Sequence, residues 1–264
     1  MFPFYLEVAR ASFRRVLVYR WANLAGILTN AFFGVIICYV YVALFTVRPT
    51  TNGYDLHDTL RYIWLVQSLV MVVLRFRWED LMLTIRSGAV ISDLSKPCDF
   101  YGYWFSREVG SSLYYLFYRG IPTYFAGMLF FGIGIPTDWI IWLAFLCSLT
   151  LATALGIAYR FLYNISAFWL LEARAIGGIA GVVAMFFGGS YIPLPLLPPW
   201  LQAITAWLPF NGLFNVPAEI FTGKLSGLDL SIELLRQALW VVAFTLLARA
   251  TTTIAARRVV VQGG

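Results

Sequence analysis

The sequence predicts an all-α integral membrane protein with about six transmembrane helices. Of its 264 residues, 61% are hydrophobic and only 12% are charged, and the mean hydropathy is +0.77. A soluble domain is typically about 45–50% apolar and about 25% charged. Aromatic residues make up 18% of the chain, including ten Trp and fifteen Tyr, two types that favour the membrane–water interface. Because six spans of about 20 residues need roughly 120 positions, residues 1–264 are predicted to form one transmembrane domain.

Six apolar stretches are predicted as spans, and the loops between them carry turn-forming residues. Pro49, Asn52 and Gly53 mark the first outer turn. The sequence GIGIPTD joins the third and fourth spans as a tight hairpin, and the fifth span is rich in glycine. The predicted spans cover residues 22–47, 60–74, 111–135, 139–158, 175–191 and 234–255.

Residues 1–20 are predicted to form an amphipathic helix that lies in the interface of the inner leaflet. Glu7, Arg10 and Arg14 share one face at helical spacing, whereas Leu6 and Phe13 lie on the other side. The alternative is a first span that begins early. It would place four arginines in hydrocarbon, each at a cost of about 2.5–3.5 kcal/mol.

Residues 192–232 are apolar but too rich in proline for a continuous span. Proline removes a backbone donor and breaks helices. We therefore predict short re-entrant helices on the outer side, with Trp200 and Trp207 as interfacial anchors. The interrupting prolines are Pro193, Pro195, Pro198, Pro199, Pro209 and Pro217.

The distribution of Lys and Arg predicts that both termini are cytoplasmic. The net charge is +6, and the positive-inside rule accounts for it without a nucleic-acid partner. Four basic residues fall on the outer side, namely Arg48, Arg61, Lys224 and Arg236, and Arg119 and Arg249 fall within spans. The thirteen on the inner side are Arg10, Arg14, Arg15, Arg20, Arg75, Arg77, Arg86, Lys96, Arg107, Arg160, Arg174, Arg257 and Arg258.

Signals for catalysis or metal binding are weak. The single histidine, His57, lies in an outer loop, which excludes HExxH sites. Cys38, Cys98 and Cys147 lie far apart and form no CxxC motif. No nucleophile elbow or complete phosphate-binding loop is present. We therefore predict no catalytic residue, no metal site and no cofactor bound by this chain.

The most charged segment, residues 75–110, joins the second and third spans on the cytoplasmic side. It contains five basic and five acidic residues. Asp93, Lys96, Asp99, Arg107 and Glu108 are available to bind a soluble partner. A solvated loop that only balances topology would carry similar charges, so both interpretations stay open at this point.

The order of these features resembles the ABC-2 type permease superfamily, the membrane half of certain ATP-binding-cassette (ABC) exporters. The inner loop carries an IRxGxxxxxLxxP pattern, followed by several aromatic residues. The segment YIPLPLLPPWLQAITAWLPF is similar to the family's outer proline-containing segment. The matching residues are Ile85, Arg86, Gly88, Leu94, Pro97, Phe100, Tyr101, Tyr103 and Trp104 in the loop and Pro193, Pro198, Trp200, Leu208, Pro209 and Phe210 in the outer segment.

The resemblance implies a non-catalytic permease subunit in a bacterial cytoplasmic membrane. Two copies of a separate ABC ATPase would bind ATP and Mg, and a second permease, identical or homologous, would complete the pathway for an amphipathic drug, toxin or lipid-like molecule. It also implies a coupling helix after Pro97. The residues implied to contact the ATPase are Arg86, Asp93, Leu94, Lys96, Pro97, Asp99 and Tyr101.

The resemblance further assigns an outer gate at Tyr191, Pro209 and Phe210. It places the first and fifth spans near the two-fold axis. In these spans Ala22 with Gly26, and Gly177 with Gly181, form small-xxx-small pairs that allow close helix approach. Packing within one subunit explains the same pairs equally well. The residues predicted to mark the dimer interface are Gly26, Gly177 and Gly181.

Polar residues inside the spans are candidates for the substrate pathway. Asn30, Gln67 and Arg119 are the predicted pathway residues, and Asn23 and Arg249 are further candidates. Arg119 and Arg249 could instead extend to the interface or pair with carboxylates of the inner loop.

Two other functions are alternatives to an exporter permease. The first is a membrane-embedded enzyme acting on a lipid or polyprenyl substrate, for which Asp93 with Asp99 is the nearest candidate pair. The second is a non-transporting anchoring subunit. All thirteen acidic residues fall in loops or at span ends, which counts against an ion-coupled carrier because such carriers usually need an intramembrane carboxylate.

Overall fold

The structure is a computed structural model that describes residues 2–18, 20–75, 79–170 and 173–257. Within these residues the protein is 82% helical and has no strand, and the only β-type pairing is a single bridge between Thr51 and Tyr54. The predicted all-α fold is therefore confirmed. Arg77 and Arg258, which the sequence analysis predicts on the cytoplasmic side, lie outside the described residues.

Twelve α-helices are resolved in the described residues. A π-helical turn, Leu116–Gly120, joins α6 to α7, and 3-10 turns cover Ser166–Phe168 and Leu194–Leu196. The helices are α1 (Phe2–Leu17), α2 (Arg20–Val47), α3 (Leu56–Val73), α4 (Asp80–Arg86), α5 (Val90–Leu94), α6 (Phe100–Tyr115), α7 (Ile121–Phe131), α8 (Trp139–Ile165), α9 (Ala173–Phe187), α10 (Pro199–Trp207), α11 (Asn211–Phe221) and α12 (Gly227–Ala256).

Three helical segments are long and apolar enough to cross a membrane: Trp21–Val47, Trp139–Phe168 and Gly227–Ala256. They correspond to the first, fourth and sixth predicted spans. α9, at the fifth predicted span, is a shorter apolar helix. At the third predicted span, helical structure extends further towards the N-terminus than the apolar stretch and ends before it does. It begins at Phe100 because Asp99 caps it, accepting a 2.7 Å hydrogen bond from the Gly102 amide, and it ends at Phe131 before a left-handed Gly132.

Helix α3 is the centre of the bundle, and α2, α6, α7, α8 and α11 all pack against it. Glycines on neighbouring helices allow this close packing. A Cβ at Gly156 would lie 2.4 Å from the Val73 carbonyl oxygen, and one at Gly120 would lie 2.8 Å from the Ser68 carbonyl oxygen. These approaches explain why α3 is buried on nearly every face although it is among the less apolar of the predicted spans.

Helix α1 is the predicted interfacial helix, and it packs along α6. Its outer residues are exposed, whereas Ser12 is buried and shares a 2.9 Å hydrogen bond with Ser111. Phe13 contacts Tyr114 edge to face. The helix ends at Leu17 rather than residue 20, and α2 begins at Arg20.

The proline-rich outer segment folds into short helices, as its sequence predicted. The 3-10 turn Leu194–Leu196 leads into α10 and α11. The expectation that every proline would interrupt a helix was wrong for Pro217, which lies inside α11. α11 is buried almost throughout against α3 and α8, so tertiary packing offsets the hydrogen bond that proline removes.

Candidate functional site

The end of the bundle that the sequence predicts to be cytoplasmic contains a network of buried charges. Glu108 forms ion pairs with two arginines: Arg75 Nη1 lies 3.0 Å from its Oε1, and Arg160 Nη2 donates a 2.9 Å hydrogen bond to its Oε2. Arg160 also donates to the Val73 carbonyl oxygen at the end of α3. The network therefore joins the end of α3 to the middle of α6 and the C-terminal part of α8.

This network continues to the interfacial helix. Asp80, at the start of α4, lies 3.2 Å from Arg15 and 3.7 Å from Arg75, measured to its Oδ2. Glu79 pairs with Arg174 at the start of α9. Helices α1, α3, α4 and α9 are thus tied to one another by ion pairs just where the second span ends.

Helices α4 and α5 form a pair of short helices, which we call the cytoplasmic tip (Asp80–Leu94) after the side of the membrane that the sequence predicts for it. A left-handed Gly88, with φ of +76°, allows the sharp turn between its two helices. Arg86 and Ile91 are exposed at its end, the latter by 41%. The inner side of the tip is apolar: Leu81 and Val90 belong to a buried cluster with Phe100, Tyr101, Trp104, Ala158, Phe161, Ile165, Ala248 and Ala255. This cluster fixes the tip to α6, α8 and α12.

The seven predicted coupling residues fall into two groups. Arg86, Pro97 and Asp99 are exposed and Leu94 is half-buried. Asp99 is exposed although it caps α6, and the other three have side-chain partners within the chain. Asp93 is buried and pairs with Lys96 at 2.6 Å, and the Lys96 ammonium lies 3.9 Å from the centre of the Tyr103 ring.

The implied coupling helix after Pro97 corresponds to the first turns of the long helix α6, and its role stays a prediction. The Tyr101 side chain is buried, and its hydroxyl group lies 3.3 Å from the Thr245 hydroxyl. A short separate helix, α5, precedes Pro97.

The three predicted pathway residues meet between α2, α3 and the π-helical turn. Arg119 Nη2 donates to Asn30 Oδ1 at 2.9 Å, and Asn30 Nδ2 donates to the Gln67 carbonyl oxygen at 3.1 Å. Asn23 donates to the Tyr118 carbonyl oxygen at 2.6 Å. Arg249 behaves differently: it is exposed and lies 3.7 Å from Asp99, the type of pairing expected for both arginines.

A crevice of about 310 Å³ opens beside Arg119, at the end of the bundle that the sequence predicts to be cytoplasmic. Its wall includes Arg15 from α1, Asn23 from α2, Arg75 from the end of α3, and Asp80 from α4. Nothing in the linear sequence indicated that these separated residues would line one cavity. A π-helical turn is a frequent feature of functional sites, but it has no sequence signature that could have revealed this one.

A second cavity, of about 650 Å³, lies among the outer helices. Its polar wall includes Asn215, Glu219, Asp229 and Glu233. Burial, and then the charge of Glu233, raise the pKa of Glu219 to about 7. The predicted gate residues lie nearby in the chain. Tyr191 is 46% exposed, Pro209 is buried, and the ring centre of Phe210 lies 5.2 Å from that of Tyr159.

The three glycines predicted for a dimer interface have different surroundings. Gly26 contacts Arg119 within the chain, because a Cβ there would lie 2.2 Å from Arg119 Nη1. Gly177 is buried in α9. Gly181 faces open space, with no atom within 4 Å of an added Cβ. The outer face of α9 is apolar and exposed, with Ile179 at 66% and Val182 at 56%.

These features define a helical, multi-pass membrane protein with a charged network at one end of its bundle. The family model for the ABC-2 family transporter protein matches residues 29–263, and the chain therefore belongs to the ABC-2 transporter family. No curated protein matches the chain. The family is generally non-catalytic and associates with an ABC ATPase.

Proposed function

We propose that this chain is the permease subunit of an ABC exporter with six spans, formed by α2, α3, α6 with α7, α8, α9 and α12. Membership of the ABC-2 family is the observation that carries this proposal. A separate ATPase binds ATP and Mg in two copies, and a second permease, identical or homologous, completes the pathway. The substrate is an amphipathic small molecule. Both termini lie in the cytoplasm of a bacterium, as the positive-inside distribution indicates.

The cytoplasmic tip is the proposed contact with the ATPase. Arg86 and Ile91 are exposed there, so they can contact a partner without breaking bonds within the chain. The apolar cluster beneath them supports the proposal, because the tip packs on α6, α8 and α12 through this cluster and a displacement of the tip would move those helices. Asn30, Gln67 and Arg119 are proposed to line the pathway, and Tyr191, Pro209 and Phe210 are proposed to form its outer gate.

A dimer is proposed in which α2 and α9 lie close to the two-fold axis. Both helices leave apolar side chains uncovered. Phe32 is 61% exposed and Val40 62% on α2, and Ile179 is 66% exposed on α9. Gly181 leaves room for close approach of a second permease.

The test is co-purification of the chain in mild detergent from its native host, followed by mass spectrometry and an ATPase assay. We expect an ABC ATPase to co-purify with the wild type and to be lost in Ile91→Glu or Arg86→Glu. These exposed positions are better probes than Asp93 or Lys96, whose replacement would also break their own ion pair.

The matched control is Leu228→Glu, which introduces the same charge at a residue that is 76% exposed near the outer end of α12. The control should retain the ATPase. If the wild-type chain purifies alone, the exporter proposal is overturned and a membrane-embedded enzyme becomes the leading alternative. If Ile91→Glu and Arg86→Glu bind the ATPase like the control, the proposed contact at the cytoplasmic tip is overturned.

A further inference from the structure

Arg119 is a buried permanent charge without an anionic partner in the described part of the chain. Its side chain is 8% exposed, and its Nε has no hydrogen-bond partner. The bond from Nη2 goes to the neutral amide of Asn30. None of the ion pairs formed by described carboxylates includes Arg119. A guanidinium group stays protonated in proteins, and leaving a charge unpaired in a low-dielectric site costs several kcal/mol.

The crevice beside Arg119 connects it to the cytoplasmic interface. Its charged wall residues are Arg15, Arg75, Arg119 and Asp80. The single carboxylate among them is already engaged by Arg15 and Arg75, so the wall carries excess positive charge. Its mouth lies at α1, the helix assigned to the interface of the inner leaflet. A volume of about 310 Å³ is within the range of small-ligand sites.

We propose that this crevice binds the phosphodiester headgroup of an anionic phospholipid, with Arg119 at its inner end and Arg15 at its mouth. A guanidinium fork matches phosphate oxygens in a bidentate manner. Basic pockets between helices on the cytoplasmic side of a membrane are suited to anionic headgroups.

The same π-helical turn supplies a surface for the acyl chains. Phe117 is 55% exposed and Tyr118 is 47% exposed, directly before Arg119 in the chain. The headgroup therefore meets the buried guanidinium while the apolar tails stay beside exposed aromatic side chains. Asn23 adds a hydrogen-bond acceptor, since its Oδ1 is buried and without a partner, and it can accept from a hydroxyl of a glycerol headgroup.

The inference assigns a ligand class to the proposed pathway residues Asn30 and Arg119, and to that extent it rests on the proposed function. Binding itself needs no ATPase. A failure to co-purify an ATPase would therefore overturn the exporter proposal and leave a lipid-binding result in place, and the reverse also holds.

The test uses the full-length chain, purified in detergent, stripped of lipid and titrated with phosphatidylglycerol. Native mass spectrometry counts the bound lipid, and phosphatidylcholine with the same acyl chains is the comparison without net charge. We expect the wild type to prefer phosphatidylglycerol by about tenfold, which corresponds to about 1.4 kcal/mol. Arg119→Gln should abolish the preference, and Arg119→Lys should retain part of it. Arg15→Gln should reduce it about threefold.

Arg249→Gln is the matched control, because Arg249 is the other arginine within a predicted span but lies outside the crevice and is 59% exposed. It should bind like the wild type. Equal binding of the two lipids by the wild type overturns the proposal. An unchanged preference for phosphatidylglycerol in both Arg119→Lys and Arg15→Gln also overturns it. These two variants keep a polar or charged group and should fold. Inorganic phosphate is added in a separate titration. Full displacement of the lipid by inorganic phosphate at equal concentration would show that the crevice binds free phosphate, and it would overturn the proposal that its ligand is a lipid headgroup.

Discussion

Gly110 is the point at which the interfacial helix α1 approaches α6 most closely, and Gly110→Ala should release α1. A Cβ at this position would lie 2.0 Å from the Ala9 carbonyl oxygen and 2.7 Å from the carbonyl carbon. Carbon–oxygen contacts of this type normally lie at about 3.3–3.6 Å, so α1 has to move away by more than about 1 Å. Both sides of the contact are helix backbone, and no side-chain rotation can relieve it.

The expected cost follows from this displacement. Overpacking costs typically about 1–3 kcal/mol, and loss of the Ser12–Ser111 hydrogen bond adds about 1 kcal/mol. The higher helix propensity of alanine returns about 1 kcal/mol. The net loss of stability is therefore about 1–3 kcal/mol. It falls mainly on the docking of α1, since the contacts of α3 with the rest of the bundle are not affected.

Hydrogen–deuterium exchange of residues 2–17 measures the release of α1 directly, and thermal unfolding in detergent measures the loss of stability. We expect faster exchange in α1 and a midpoint lowered by several degrees, because about 1 kcal/mol corresponds to roughly 2–4 °C in a domain of 150–250 residues. Gly178→Ala is the control: it lies in a helix, and no atom lies within 4 Å of an added Cβ. If Gly110→Ala matches this control in both measurements, the close packing of α1 on α6 is refuted.

Three further predictions follow from the charges and the open face described above. The carboxyl group of Glu219 has its pKa raised from 4.5 to about 7 by burial, so the folded state binds the proton more tightly and this group costs stability as the pH rises from 4.5 to 7. Glu219→Gln should therefore stabilise the protein at pH 8 by up to about 3 kcal/mol and have little effect at pH 4.5. Thermal unfolding at the two pH values measures the difference, and an equal change in stability at both would contradict the prediction. Glu108→Gln removes the carboxylate shared by two buried arginines and should cost about 3 kcal/mol in denaturant unfolding, whereas a loss below about 1 kcal/mol, typical of surface pairs, would show that the arginines are solvated. Gly181→Leu should disrupt the proposed dimer in cross-linking experiments without lowering the unfolding midpoint, and a dimer that persists would move the interface away from α9.

The sequence predicted the helices well where hydropathy or a strong local signal determines them. α2, α8 and α12 are long apolar runs, and the dense prolines before α10 leave only short helices. The prediction failed where tertiary contacts decide. The cap at Asp99 starts α6 eleven residues before the expected span, and the packing of α11 overrides the helix-breaking tendency of Pro217.

The polar clusters could be predicted only in part. Asn30, Gln67 and Arg119 were identified as unusual residues for a span, and the structure brings all three together because their helices cross at one level. The network around Glu108 was not predicted, because Arg75 and Arg160 are distant in sequence and each looks like an ordinary basic residue at the end of a span. Only the fold brings them to the same carboxylate.

The two cytoplasmic structures, the ion-pair network and the apolar cluster, have a joint mechanical consequence for the proposed coupling. A tip attached by one flexible linker would move on its own when a partner pulls on Ile91. This tip is attached twice: Leu81 and Val90 pack into the cluster with α6, α8 and α12, and the Met82 amide donates to Asn164 Oδ1 of α8 at 3.1 Å. Independent movement would have to expose the cluster and break that hydrogen bond, which is costly because buried apolar surface contributes about 25 cal/mol per Å². Movement of the tip together with α6 and α8 avoids that cost, and those are the helices that Glu108 and Arg160 already join.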